Sequence, residues 1–480
     1  MHFLDMIIFF AYMVAMLGVG FYFLKQNKTT DDYYVGGRSM SSWHIGLSVV
    51  ATDVGGGFSI GLGGLGFAMG LSGSWMLFTG LAGAWLAAVF LIPKVSRLSK
   101  EINLLTFPQL FGFLFDGKTA LLAGIISAVG YLGFTSSQIL AGAKLASATF
   151  PELSIESALW VMGGIAVIYT VFGGLKAVIY TDTVQWIILM VGLIFVAIPM
   201  AYIAVGGYDT IVSTLPASFF EFGNLEWQTF VNWSVTIIPI WFVGMTLYQR
   251  IYAAKNEHEA QKAWFIAGIF EWPIMAFMGV LLGLLARVAM VQGILGDAAA
   301  TAMADEEMGL PLLLKSILPA GLMGVVMAAY FSAIMSTADS CLMAASGNLM
   351  TDIVGRFIKT SEKNVLKLSQ FFTFLIGFVA IIIATYMKNV LELMLMSYSV
   401  MVSGLFIPLL AGMFITKKTS IGAFWAMVVG GSVTVTLIAT GWKPPYGLDA
   451  NIIGITSSAF IYFLIGIFHS DKRKPTEVLV

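Results

Sequence analysis

Long apolar runs separated by short polar breaks are the dominant pattern of this chain. Runs of about twenty residues are long enough for a helix to cross the hydrocarbon core of a bilayer. The breaks predict thirteen such spans, at residues 2–24, 44–71, 73–95, 119–147, 156–175, 178–206, 230–253, 263–291, 312–350, 364–388, 389–416, 420–441 and 450–469. The pattern therefore predicts an all-α polytopic membrane protein. The first span lacks the basic start and the short apolar core of a signal peptide, so we expect it to remain in the mature protein.

Composition narrows the class further. Only 11% of the 480 residues are charged, against roughly a quarter in soluble proteins. Lys and Arg total 25 and Asp and Glu total 26, so there is no basic excess for a nucleic-acid partner. One cysteine and four histidines favour neither a disulfide framework nor a transition-metal cluster. The apolar runs are also much longer than the strands of an outer-membrane barrel. A helical bundle in a lipid bilayer, without an organic cofactor, is the class that fits.

The positions of Lys and Arg predict the orientation of the bundle. In alternate loops, one side has only Lys144, Arg287, Lys315, Lys388 and Lys443, and the other side has the remaining 20 of the 25. Cytoplasmic loops are rich in Lys and Arg. We therefore expect an extracellular N-terminus and a cytoplasmic C-terminus in a multi-pass protein of the cell membrane.

Two predicted spans contain residues that break helices. In the second span, Asp53 is closely followed by three consecutive glycines, Gly55, Gly56 and Gly57, each costing a helix roughly 1 kcal/mol relative to alanine. The seventh span has a second candidate break at 239–244. Breaks five spans apart predict a five-plus-five inverted repeat of the kind found in secondary transporters. The predicted parts are an N-terminal helix and loop (1–43), a first repeat (44–206), a second repeat (230–416), and two accessory helices with a basic tail (417–480). Alternatively, the glycines only allow close helix packing.

Three carboxylates, Asp53, Asp182 and Asp339, fall inside predicted spans, where ionisable residues are costly and usually functional. Near Asp339, helical spacing places Ala333, Ser336, Thr337 and Ser340 on one face. Such carbonyl, hydroxyl and carboxylate oxygens suit a hard cation such as sodium. Alternatively, the hydroxyls bond to their own helix. The spans offer few basic partners beyond Lys144 and Arg287, so we expect a bound cation to balance Asp182 and Asp339.

Several segments resemble the sodium/solute symporter family, which includes sodium/glucose, sodium/proline and choline transporters. The matching segments are residues 32–38, 173–185, 248–256, 335–340 and 351–353. The resemblance implies a sodium site formed by the carbonyls of Ala51, Val54 and Ala333 with the hydroxyls of Ser336 and Thr337. A second site, present in some members, would use Asp182, Ser336, Asp339 and Ser340. Family members often have Ser or Thr at the position of Asp339, so this carboxylate could bind sodium or carry a proton.

The resemblance also implies an activity, which is import of a small polar solute driven by one or two sodium ions through alternating access. The expected solute pocket contains Asp53, Thr52, Phe58, Ser136, Ser137, Gln138, Trp241, Met245 and Thr246. The glycine run and the triplet 338–340 resemble the choline branch, whereas an aspartate at the position of Asp53 is found in the proline transporter. A zwitterionic or amine-like solute is therefore expected, and a sugar is less favoured because Gly244, Met245 and Thr246 replace polar side chains of the sugar members.

Three other functions stay open from the sequence. They are proton-coupled transport through Asp182 or Asp339, a solute-gated channel, and a sensor. A channel would need a continuous polar lining, and a sensor would need an attached signalling domain. We expect a transporter that is active as a monomer.

Overall fold

The computed structural model describes residues 3–24, 34–35, 38–150, 152–357, 362–469 and 471, except the side chains of 17, 20, 23, 24, 54, 58, 173, 174, 176, 177, 362 and 363. These residues form helices joined by short turns. The α-helices are α1 Phe3–Leu24, α2 Ser42–Met69, α3 Trp75–Phe90, α4 Ile92–Ile102, α5 Phe107–Leu114, α6 Gly117–Thr149, α7 Ile155–Met190, α8 Ile198–Ala204, α9 Gly207–Thr214, α10 Trp227–Val243, α11 Met245–Ala253, α12 Glu257–Ile269, α13 Ala276–Val291, α14 Ala299–Ala304, α15 Gly309–Ile317, α16 Leu322–Gly347, α17 Glu362–Thr385, α18 Val390–Phe414, α19 Ser420–Thr440 and α20 Ala450–Phe468. The all-helical prediction is confirmed for the described part of the chain.

Within these described ranges, eleven helical segments are long and apolar enough to cross a membrane. The predicted number was thirteen. The difference arises at two places: residues Gly55–Phe90 count as one segment of 36 residues, and α1 contributes only the shorter apolar stretch Phe3–Met16. The thirteen spans and the inverted repeat therefore remain predictions.

Contacts show that the chain reverses between α2 and α3. The backbone amide of Ser42 donates to Glu259 Oε2 at 2.6 Å, and Gln261 Nε2 donates to the carbonyl of Ala88 at 3.1 Å. Both ends of the segment from 42 to 88 thus lie at the start of α12. A straight helix would hold them about 70 Å apart. The helices α2 and α3 are consequently two antiparallel legs.

The helical segment from residue 155 to residue 204 also reverses. The hydroxyl of Tyr169 lies 2.8 Å from the hydroxyl of Thr181, which is twelve residues further along the chain. In a straight helix, twelve residues span about 18 Å. The turn between them separates the two apolar segments Ile155–Phe172 and Val178–Ala204.

Helix α16 lies in the centre of the bundle and packs against α2, α6 and α7. Both predicted helix breaks are found beside this core. In α2 the backbone at Gly55 is non-helical (φ 0°, ψ −162°), and α10 ends at Gly244 (φ −70°, ψ 114°) before α11 begins. The fold therefore brings two interrupted helices into the bundle interior.

Candidate functional site

Four of the five residues expected at the sodium site meet where α2 approaches α16. The hydroxyl of Ser336 lies 2.9 Å from the carbonyl oxygens of both Ala51 and Ala333. The hydroxyl of Thr337 lies 3.0 Å from the Ala51 oxygen and 3.3 Å from the Ala333 oxygen. The carbonyl of Val54, the fifth expected ligand, stays a prediction, and the side chain of this residue lies outside the described residues. Two carbonyls and two hydroxyls from different helices thus form a compact oxygen cluster.

The break at Gly55 makes this approach possible. A Cβ atom on Gly55 would lie 2.0 Å from Thr337 Oγ1, closer than any side chain tolerates. Beyond the break, the amide of Gly56 donates to Gln138 Oε1 at 2.7 Å, and Ser59 Oγ donates to the carbonyl of Gly55 at 2.6 Å. These bonds satisfy polar backbone groups that an apolar interior would otherwise penalise. Gln138, which was expected to bind solute, supports the broken helix through this bond.

A buried arginine occupies the region expected to hold a second sodium ion. Arg250 is 0% exposed, and its Nη2 atom lies 3.1 Å from Asp182 Oδ2, 2.7 Å from Ser340 Oγ and 2.6 Å from Thr52 Oγ1. Its Nε donates to Ser48 Oγ at 3.1 Å, and Ser48 in turn donates to Asp182 at 2.5 Å. The charge of Asp182 is therefore balanced from within the protein.

This arrangement corrects one expectation from the sequence. The distribution of Lys and Arg along the sequence assigned Arg250 to a cytoplasmic loop. Because no buried basic residue then remained near Asp182, a bound cation was expected to balance its charge. Arg250 lies instead in the last turn of α11, the short helix that follows the break at Gly244. Because the break starts a new helix inside the bundle, a residue six positions later is still buried. The six-residue spacing between Gly244 and Arg250 is the sequence signal that could have predicted the burial of Arg250.

Asp339 differs from Asp182 in its partners. It is fully buried, and among the described residues neither of its carboxylate oxygens meets a hydrogen-bond donor from another helix. It lies within electrostatic range of Asp182 and Arg250. Unlike Asp182, Asp339 therefore forms no ion pair with any residue that the structure describes.

A small cavity lies next to the break between α10 and α11. Its wall is formed by polar and aromatic side chains and the backbone at the break, namely Thr52, Asp53, Tyr131, Phe134, Ile240, Gly244, Thr246, Leu247 and Tyr398. Thr52, Asp53 and Thr246 were expected in the solute pocket. Thr246 Oγ1 lies 2.9 Å from the hydroxyl of Tyr131. Since Thr52 also contacts Arg250, this cavity is connected to the ion-pair network.

Among the expected pocket residues whose side chains are described, five do not line this cavity, namely Ser136, Ser137, Gln138, Trp241 and Met245. The hydroxyls of Ser136 and Ser137 donate to carbonyls of their own helix at 2.8 Å, which is the alternative considered for such residues. The Trp241 ring packs on Trp264 with 6.4 Å between centroids, and the Met245 sulfur accepts from a backbone amide of α5 at 3.1 Å. Phe58 has a side chain outside the described residues.

One residue of the site was missed by the sequence analysis. Glu271 lies in the helical turn Phe270–Met275 between α12 and α13, is 0% exposed, and lies against the carboxylate of Asp53. Gly80 of α3 leaves space for it, because a Cβ there would be 2.0 Å from Glu271 Oε2. A single glutamate inside the apolar predicted span 263–291 was the signal that could have revealed it.

The family of the chain follows from comparison with known proteins. The sodium:solute symporter family matches residues 33–430. The chain belongs to this family. Members of the sodium:solute symporter family are transporters, so the chain is a membrane-embedded transporter of small solutes.

Relatives in this family act on different solutes. The sodium/proline symporter of Salmonella typhimurium is 27% identical, over 96% of this chain and 93% of its own length. The sodium/glucose cotransporter of Vibrio parahaemolyticus is 28% identical, over 89% of this chain and 83% of its own length. A solved structure of a Na⁺-coupled sialic acid symporter covers 98% of this chain and all of its own chain, with a TM-score of 0.79 and 21% identity. The structural similarity shows the fold, whereas the family and its curated relatives support sodium coupling and leave the solute open.

Proposed function

We propose that this protein is a sodium-driven symporter that imports a small amine-like or zwitterionic solute by alternating access. The observation that carries the proposal is the oxygen cluster formed by Ala51, Ala333, Ser336 and Thr337 at the break in α2. Carbonyl and hydroxyl oxygens are suitable ligands for sodium, and interrupted helices provide such ligands in secondary transporters.

Sodium binding and solute binding would be coupled through α2. The carbonyl of Ala51 belongs to the oxygen cluster, and the next two residues, Thr52 and Asp53, line the cavity. An ion held between α2 and α16 would fix the position of the break and therefore the shape of the cavity. The solute would then bind more tightly to the sodium-bound form, and linkage requires that the solute also strengthens sodium binding.

The position of Arg250 favours one sodium ion per cycle. Its guanidinium contacts Asp182 and Ser340, two of the groups that a second ion would need. One ion moving inward at about 100 mV with a tenfold gradient supplies roughly 3.7 kcal/mol, enough for accumulation of several hundredfold. A second ion would require Arg250 to leave these groups.

The proposed topology has thirteen spans, an extracellular N-terminus and a cytoplasmic C-terminus in the cell membrane. The chain reversals between α2 and α3 and near residue 175 support the division into these spans. The two helix breaks support the proposed repeats at 44–206 and 230–416. A single copy of the chain would contain the whole transport path.

Proton coupling is the second candidate, and Asp339 favours it. A buried carboxylate that forms no ion pair with the described residues is a chemically suitable proton carrier. In this alternative, Asp339 would bind and release a proton. The oxygen cluster would hold α2 against α16 without binding the coupling ion.

Uptake into proteoliposomes distinguishes the two candidates. A panel of labelled solutes is supplied with an inward sodium gradient, with the same gradient of potassium, or with an inward proton gradient. Sodium symport predicts accumulation only with sodium. Accumulation that persists in potassium and follows the proton gradient would instead establish proton coupling.

A further inference from the structure

Asp53 and Glu271 form a pair of buried carboxylates outside the sodium cluster. Asp53 is 9% exposed and lines the cavity, whereas Glu271 is 0% exposed and lies behind it, within hydrogen-bonding reach of Asp53. Among the described residues, both oxygens of Glu271 and Oδ2 of Asp53 lack a donor. Burying two ionised carboxylates together is costly unless a positive charge compensates them.

No basic side chain of the described residues forms an ion pair with either carboxylate, and Arg250 forms its ion pair with Asp182. A proton shared by the two carboxyl groups leaves one negative charge on the pair, and a cation from outside the chain would neutralise it. The cavity beside Asp53 is lined by Tyr131, Phe134 and Tyr398. Aromatic faces next to a carboxylate favour an organic cation, because the rings attract ammonium groups and accommodate attached carbon atoms.

A second cavity fits the same chemistry. It has a volume of about 570 Å³, and its wall extends along α18 to Ser399, the residue after Tyr398. Its acidic residues include Glu306, Glu392 and Asp449, besides Asp305 and Glu307, which pair with Lys144. A cleft lined by negative charge raises the local concentration of cations. This cleft would therefore attract positively charged solutes.

We infer that the transported solute carries a net positive charge, and that its ammonium group binds at Asp53 with Glu271 as the second carboxylate. The inference rests on the proposed symport and specifies its solute as an organic amine. A solute carboxylate would be repelled by this pair, so zwitterions such as neutral amino acids are expected to bind more weakly.

Thermal stability of the purified protein, measured in sodium and in potassium, tests this inference. The probes are matched amines and alcohols: n-butylamine with n-butanol, and 1,4-diaminobutane with 1,4-butanediol, together with choline, proline and glucose. We expect at least one amine to raise Tm in sodium while the matched alcohol does not. In Glu271→Gln, the concentration of that amine needed for half of the shift should rise at least tenfold. Glu271→Asp should retain part of the response, and Glu257→Gln, at the start of α12, should respond as the natural protein does.

Three results would overturn the inference. They are stabilisation by proline or glucose instead of an amine, an unchanged amine response in Glu271→Gln, and stabilisation by sodium without any response to the amines. The last result would agree with sodium symport and would refute only the inferred positive charge of the solute. Stabilisation by an amine that is equal in sodium and potassium would instead count against the proposed function.

Discussion

At the scale of single residues, Arg250 is a buried cation that connects three helices. Its guanidinium is fully buried and bonds to residues of α2, α7 and α16. A buried ion pair contributes little net stability, but removal of one partner leaves an uncompensated charge and costs about 3–5 kcal/mol. Substitutions of Arg250 and of Asp182 should therefore differ in how sodium changes the thermal stability of the variant.

Arg250→Ala should destabilise the protein and should be partly rescued by sodium. The substitution leaves the carboxylate of Asp182 beside Ser48 and Ser340, which are oxygen ligands that a sodium ion could use. Asp182→Asn leaves a buried cation, which sodium cannot compensate. Thermal unfolding in sodium and in potassium measures the difference. Arg97→Ala, which removes the exposed ion pair with Glu257, is the control and should change little. Equal sodium responses of the two buried variants would argue against this account of the pair.

At the scale of helices, the break at Gly55 determines whether the oxygen cluster can form. Gly55→Ala would place a Cβ 2.0 Å from Thr337 Oγ1 and force α2 away from α16. We expect sodium affinity to fall at least tenfold. Gly164→Ala is the matched control, since a Cβ there would have no atom within 4 Å. Titration of sodium-dependent stabilisation compares the two variants, and equal affinities would show that the close approach is not required.

Gln138 supports the same break from α6. Replacing it with Leu keeps the volume but leaves the amide of Gly56 without its 2.7 Å acceptor. An unsatisfied buried donor costs about 1–3 kcal/mol, so we expect a lower Tm together with weaker sodium binding. The control is Ser136→Ala, which removes only a bond within one helix. Loss of stability without any change in sodium affinity would limit Gln138 to a general packing role.

The sequence predicted elements better than it predicted side-chain partners. Periodicity located the helices, and the glycine run located the break in α2, because both effects are local. The partners of Arg250 and Glu271 depend on which helices meet after folding. For this reason a charge pattern assigned Arg250 to a loop, and Glu271 was overlooked within an apolar span. Ser136 and Ser137 show the same limit, since their residue type suits a pocket while their hydroxyls bond within α6.

At the scale of the whole molecule, a group of ion pairs and hydrogen bonds around Lys144, Asp305 and Glu307 joins three segments that are far apart in the sequence. This group is termed the latch. Lys144 of α6 is 2.6 Å from Asp305 and 2.7 Å from Glu307, and Glu307 also accepts from the amides of Val390 and Leu391 at the start of α18. These residues lie on the side that we propose to be extracellular. Asp305 and Glu307 of this latch also line the 570 Å³ cavity.

Lys144→Met should weaken the latch and favour opening towards the extracellular side. We expect faster labelling of a cysteine introduced at Ser399 by an impermeant thiol reagent added outside cells, since the natural Cys341 is buried. Lys315→Met, on the same proposed side but outside the latch, serves as the control. An unchanged labelling rate in Lys144→Met would contradict a gating role, and labelling only from the cytoplasmic side would reverse the proposed orientation.

The central claim is that the oxygen cluster between α2 and α16 binds the coupling ion, and direct binding of ²²Na⁺ to purified protein tests it. The natural protein should bind about one ion, and Ser336→Ala with Thr337→Ala should lose at least a hundredfold in affinity, because each hydroxyl contributes roughly 1.5–3 kcal/mol to a charged partner. The control is Ser346→Ala on the same helix, where the hydroxyl donates to the carbonyl of Met343, and this variant should bind sodium normally. Unchanged sodium affinity in a folded double variant would contradict the account.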